Sequence, residues 1–233
     1  MDLDADLADV LARLNAAAEP GRTVTWTTAH REWRARAAPL KALEAELASR
    51  WRPLRGSDFD RAVEQLVRLG FEGRLLAWAV LGRRRDRLLA QNVASLEALG
   101  AGNDAWPLID GFGVLVAGRA WNAGLDLSAA VEGWARRPDG PWRRTALVCT
   151  VARNLPTHGG KGDAATALAI CRLLRDDRDD LVVKGVSWAL RSAIRANAGA
   201  VAGALAEGGW ASRVVREVGV KLRTGRKAGR VAE

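Results

Sequence analysis

A helical apolar period runs through nearly all of this sequence, and Gly, Pro and Asp/Asn interrupt it at short intervals. No stretch alternates long enough to make a strand. The pattern predicts about twelve helices, over 2–18, 28–50, 57–70, 73–86, 88–100, 103–118, 126–136, 141–154, 163–175, 179–196, 197–207 and 210–223. Ser57-Asp58, Asn103-Asp104, Asp139-Gly140-Pro141 and Asp179-Asp180 each put a capping side chain or an early proline before an apolar run. Consecutive short helices at roughly 40 residues per pair suit a helical-repeat solenoid, with a compact all-α bundle as the competing architecture. In a solenoid the inner helices line one concave face, which can track a rod-shaped ligand such as duplex DNA.

Charge narrows the partner. Thirty-six Lys plus Arg against 27 Asp plus Glu give a net charge of +9 over 233 residues. That balance favours phosphates, either nucleic acid or an anionic membrane surface. Asp2, Asp4, Asp6 and Asp9 make the start acidic, whereas Arg83-Arg84-Arg85-Asp86-Arg87 and the segment from Arg213 to Arg230 are basic. No run approaches the roughly 18 to 20 apolar residues of a membrane span. The acidic start is unlike a secretion signal. Cys149 and Cys171, the only cysteines, lie in apolar helical stretches and read as core residues of a reduced, cytoplasmic protein.

The chain has ten Trp, three Phe and no Tyr, which implies either many core anchors or a stacking surface, and most of the tryptophans should be core. His30 and His158 are the only histidines, and neither stands at a metal-ligand spacing. The Gly-rich loop from Asn154 to Asp163 lacks the phosphate-loop spacing; Lys161 there can touch a phosphate, or the loop is simply a turn. No dinucleotide fingerprint or nucleophile motif is present. The expectation is chemistry that needs few groups and no cofactor.

Three constellations remain. On a helix over 179–196, Lys184, Trp188, Arg191 and Arg195 fall within roughly 60° of one another at about 100° per residue. Val182, Val183, Val186, Ala189, Leu190, Ala193 and Ile194 fill the opposite face. An aromatic left off the core face and flanked by cations suits a surface for polyanions and flat rings, although a snorkelled exterior gives the same pattern. Trp106 and Asp110 stand one turn apart, with Gly113 and Ala117 continuing their stripe and a separate apolar arc behind them. This is a shallow site for a cationic or electron-poor group, or an aspartate paired with an arginine. Arg143 and Arg144 follow Pro141-Trp142, with Arg144 on the side of Leu147, Val148 and Val151. A guanidinium on an apolar stripe needs a carboxylate or phosphate partner.

These stretches, in this order, resemble the AlkD-like family of DNA alkylation-repair glycosylases, best from about Asn103 to Lys221. The resemblance rests on Trp106-x-x-x-Asp110, Arg144-Thr-Ala-Leu-Val, and Lys184-Gly-Val-Ser-Trp188-Ala-Leu-Arg191. It implies an all-α solenoid of about six HEAT-like antiparallel helix pairs with a concave, basic DNA-binding face. One domain would span 1–223, and a basic tail over 224–233 is expected to be disordered. It also implies an N-glycosylase that removes alkylated purines of the 3-methyladenine and 7-methylguanine type from double-stranded DNA, as a monomer. Asp110 would be the catalytic carboxylate and Trp106 and Trp188 the aromatic walls. Arg144, with Arg143, Lys184, Arg191 and Arg195, would contact DNA. The alternative is a noncatalytic DNA-binding member of the same fold, recognising branched or distorted DNA.

Overall fold

A computed structural model describes residues 2–226. Among them the chain is all-α, with no β-strand, and divides into two compact units, 1–116 and 117–233. No helix among the described residues is long and apolar enough to cross a membrane. Of the expected basic tail, residues 227–233 lie outside the described residues.

The first unit opens with α1 (Leu3–Ala16), whose Asp2 side chain accepts the Asp4 and Ala5 N–H groups at 3.1 Å. It continues through α2 (Ala37–Arg50), α3 (Gly56–Arg68), α4 (Phe71–Leu81), α5 (Arg85–Leu89), α6 (Val93–Gly100) and α7 (Trp106–Gly111). Leu14, Leu47, Trp51, Phe59, Leu66, Leu76, Trp78 and Leu108 form its buried core. The helix expected over 88–100 is broken because Asn92 starts a fresh capping box with Ser95, which separates α5 from α6.

Two further expectations are corrected. The segment 28–36 is not helical; α2 begins only at Ala37. Its residues form an extended strap because Glu72, 1% exposed in the first turn of α4, accepts the Trp33 and Ala35 N–H groups at 3.0 and 3.1 Å. Between them Arg34 takes a positive φ of 54°. Phe71 N–H donates to the Arg31 carbonyl at 2.9 Å, and the preceding Gly70 (φ 117°) lies so close to that carbonyl that a Cβ would collide with it. A buried acceptor for two alternate backbone donors outweighs helix propensity.

The second correction concerns the helix expected over 103–118. Asn103-Asp104 does not cap it; Ala105 precedes α7, and Pro107 sits in its first turn. After Gly111 the chain forms a π-helical turn, Phe112–Ala117, before α8 (Gly118–Ala123). Its wider i→i+5 bonding shifts the helical register within the turn. Gly113 and Ala117 are therefore buried and do not extend the Trp106/Asp110 stripe.

The second unit contains α8, α9 (Ser128–Ala135), α10 (Gly140–Asn154), α11 (Ala164–Leu173), α12 (Asp180–Ala193), α13 (Ala198–Ala206) and α14 (Ser212–Thr224). Asp139, Asp163, Asp179 and Asn197 cap four of these helices through their side chains. Helix α10 is its axis, buried along Ala146, Leu147, Val148, Cys149, Val151 and Ala152. Gly185 lets α12 approach α10, since a Cβ there would press on Leu147. The Gly-rich loop is ordered: Asn154 and Asp163 bond reciprocally at 2.8 and 3.1 Å, with a 3-10 turn at Pro156–His158 between them. Lys161 is exposed on it.

The carboxyls of Asp104 and Asp163 are held below the ordinary carboxylate range. In both, burial opposes ionisation. Backbone N–H donors outweigh it, joined by Thr28 and His30 at Asp104 and by Arg153 and the Thr166 side chain at Asp163. A depressed folded pKa gives stability that is present above the unfolded value of about 3.9 and is lost as pH falls through the folded one. The melting temperature should therefore drop on acidification from about pH 5 to pH 3. Asp104→Asn should make that drop shallower; an unchanged slope would show that the carboxylate carries no such contribution.

Candidate functional site

In the first unit the site is built on α7. Trp106 opens this helix and is 41% exposed, an unusual placement for so large an apolar side chain. Asp110 follows one turn later and is half-buried, so its carboxylate shares the face of the indole. Behind it Leu108, Ile109 and Phe112 are fully buried, and Trp78 meets Phe112 edge-on at 5.3 Å. That core fixes the rotation of α7, and with it the outward direction of Trp106. The π-turn begins two residues after Asp110, a helix irregularity often found at functional sites.

The strap adds a residue that the sequence pattern does not single out. Trp26 stacks on Phe71 with ring centroids 5.2 Å apart and planes 6° apart, and meets Trp106 edge-on at 6.0 Å and 82°. Its Nε1 donates to Glu32 at 3.2 Å. Phe71, Ala105, Leu108 and Leu75 pack beneath it. The only signal in the sequence was a tryptophan surplus, since Trp26 is far from the motif in sequence and lies in no periodic segment.

In the second unit the expected stripe on α12 is present but uneven. Val182, Val186, Ala189, Leu190 and Ala193 are buried on the core side. Lys184 and Arg195 are exposed, and Trp188 is half-buried between them. Lys184 pairs with Asp180 at 2.6 Å, one turn back. Arg191 is turned inward with its side chain 14% exposed. Its Nε donates to the Ser187 carbonyl at 3.1 Å, and its Nη2 lies 3.6 Å from Glu217 of α14. Burial pulls its pKa below the usual arginine value, partly offset by Glu217.

The two arginines of α10 are also engaged within their unit. Arg143 donates to Asp177 at 2.7 Å and to the Pro138 carbonyl at 2.5 Å. Arg144 is 6% exposed, and its Nη1 donates to the Leu181 carbonyl at 2.6 Å, in the first turn of α12. Arg144 and Arg191 thus fix the helix that carries Trp188 from both sides, which a helical-wheel reading of each helix alone does not reveal. The accessible cations of the stripe are Lys184 and Arg195.

Six of the ten tryptophans, Trp33, Trp51, Trp78, Trp121, Trp134 and Trp210, are buried. Trp142 packs on Trp134 at 5.0 Å with Arg137 over its ring. Trp106 is exposed, and Trp26 and Trp188 are half-buried, each in its own unit. Among the described residues no cluster of His, Cys, Asp or Glu has the arrangement of a metal site.

A family model described as DNA alkylation repair enzyme matches residues 10–223. No curated protein matches the chain.

Proposed function

The chain belongs to the DNA alkylation repair enzyme family, and from that premise we propose that it is a DNA glycosylase that releases cationic alkylated purines from duplex DNA. Membership carries the coarser statement, a role in alkylation repair with DNA as substrate. The observation that carries the finer one is Asp110, half-buried one turn from the exposed Trp106 and held there by the buried face of α7.

The chemistry suits so small a site. An N-alkylated purine such as 3-methyladenine or 7-methylguanine carries positive charge, so it departs without a general acid. The C1′–N bond breaks with its electron pair leaving on the base, and positive charge develops on the deoxyribose. Asp110 stabilises that charge and orients a water, whose oxygen forms the new C1′–O bond as its proton passes to the carboxylate or to solvent. The indoles of Trp106 and Trp26 attract a cationic base and the polarised C–H groups of its sugar; Trp188 offers DNA an aromatic face on the second unit. We read the helix pairs within each unit as HEAT-like repeats and the protein as acting as a monomer.

Phosphate contacts fall to Lys184 and Arg195, while Arg143, Arg144 and Arg191 reach a phosphate only by exchanging the partners described above. Lys184→Ala and Arg195→Ala should each lower the slope of log affinity against log salt by about 0.9. Arg144→Ala is the contrasting case. A lowered slope there assigns Arg144 to a phosphate; an unchanged slope with a lower melting temperature assigns it to the α10–α12 contact. Trp188→Ala should reduce base release about tenfold without a collapse in thermal stability. A collapse would place Trp188 in the core. Free base released from methylated duplex DNA is the direct test of the proposal.

A further inference from the structure

The strap 19–36 has no helix of its own, yet it carries Trp26 against Trp106. Two carboxylates fasten it to the rest of the first unit. At the rear, Glu72 takes the Trp33 and Ala35 N–H groups. At the front, Asp104 accepts the Thr28 hydroxyl at 2.7 Å and the Ala29 N–H at 2.6 Å. The Thr28 hydroxyl also accepts the His30 N–H at 3.1 Å, and the His30 ring bonds the Gly102 carbonyl at 2.7 Å. Asp104 thus ties the strap two residues beyond Trp26 to the turn two residues before Trp106. It makes this tie in place of the helix cap its position suggests, since Ala105 precedes α7.

We propose that Asp104 is a positioning residue for the damaged base. By clamping Thr28 and Ala29 it holds Trp26 edge-on to Trp106, so that the two indoles form one preorganised corner beside Asp110. This rests on the glycosylase reading of that site. Without the clamp, the segment around Trp26 loses its front tie while the strap stays fastened from His30 onward. Trp26 then keeps its stack on Phe71 only at the expense of ordering that segment, and the corner loosens. Asp104 acts through Trp26 and touches no substrate. Its carboxylate is spent on the strap.

The test uses the full chain labelled with 5-fluorotryptophan, with Trp26 and Trp106 signals assigned through Trp26→Phe and Trp106→Phe. Asp104→Ala should shift or broaden those two fluorine signals and leave those of Trp188 and Trp210 in place. Single-turnover base release from methylated duplex DNA should fall about tenfold. Thr28→Val, a milder change that keeps the carboxylate, should move the same two signals by less. Asp104→Asn retains an acceptor for Ala29 and should restore most of the rate. In a Trp26→Ala background, itself slowed about tenfold, Asp104→Ala should add nothing.

An unmoved Trp26 signal in Asp104→Ala overturns the proposal. So does a further tenfold loss in the Trp26→Ala background, because Asp104 would then act by another route. If the wild-type protein releases no base, that result alone removes the glycosylase reading, while the clamp stands or falls on the fluorine spectrum.

Discussion

Asp110→Asn is expected to slow base release from methylated duplex DNA by at least about a thousandfold while leaving DNA binding equal or tighter. The asparagine keeps the size and the position on α7 but cannot offset positive charge at C1′. Removing a single electrostatic stabiliser typically costs about 10²- to 10³-fold, and here the same group also orients the water. Binding should move the other way because a carboxylate facing a polyanion repels it; its removal lifts that repulsion. A variant that binds less tightly and releases base at the wild-type rate would assign Asp110 a structural role. Asp110 is half-buried against α7, so the comparison requires a melting temperature close to that of the wild type.

Glu72→Ala is expected to lower the unfolding free energy by about 3–5 kcal/mol, measured by urea denaturation. The carboxylate is 1% exposed and accepts two backbone N–H groups, which alanine would leave buried without an acceptor. Charge-assisted hydrogen bonds of this kind contribute about 1.5–3 kcal/mol each. Glu72→Gln keeps one acceptor and should lose about half as much. A loss below about 1 kcal/mol in Glu72→Ala would mean that water replaces the carboxylate and the strap is held elsewhere.

These two residues show what the sequence could and could not reveal. Asp110 was legible because its signal is local: a tryptophan one turn away, on a face separate from Leu108, Ile109 and Phe112. Helix α12 was legible for the same reason, since its periodicity separates Trp188 from Val182, Val186 and Leu190. Glu72 carried no such signal. Its partners, Trp33 and Ala35, lie some forty residues upstream, where the apolar pattern favours helix and only tertiary hydrogen bonding imposes an extended chain.

Trp26 was hidden by the same strap. The π-turn after Gly111 was equally unreadable, because helical wheels assume a constant residue count per turn, and it buried Gly113 and Ala117 against expectation. Arg143, Arg144 and Arg191 mark a third limit. A cation on a helix face reads the same whether its partner is a phosphate or a carbonyl and carboxylate of the next helix, such as Leu181 or Glu217. Charge counting therefore registers the excess of cations but not which of them are accessible.

Cleavage of the glycosidic bond of alkylated purines by this chain is measured by incubating the wild-type protein with methylated duplex DNA and identifying any free base by mass. Release of 3-methyladenine or 7-methylguanine is expected, with a matching count of abasic sites and a loss of at least about a thousandfold in Asp110→Asn. DNA that is bound but yields no free base would contradict it and leave a noncatalytic DNA-binding protein.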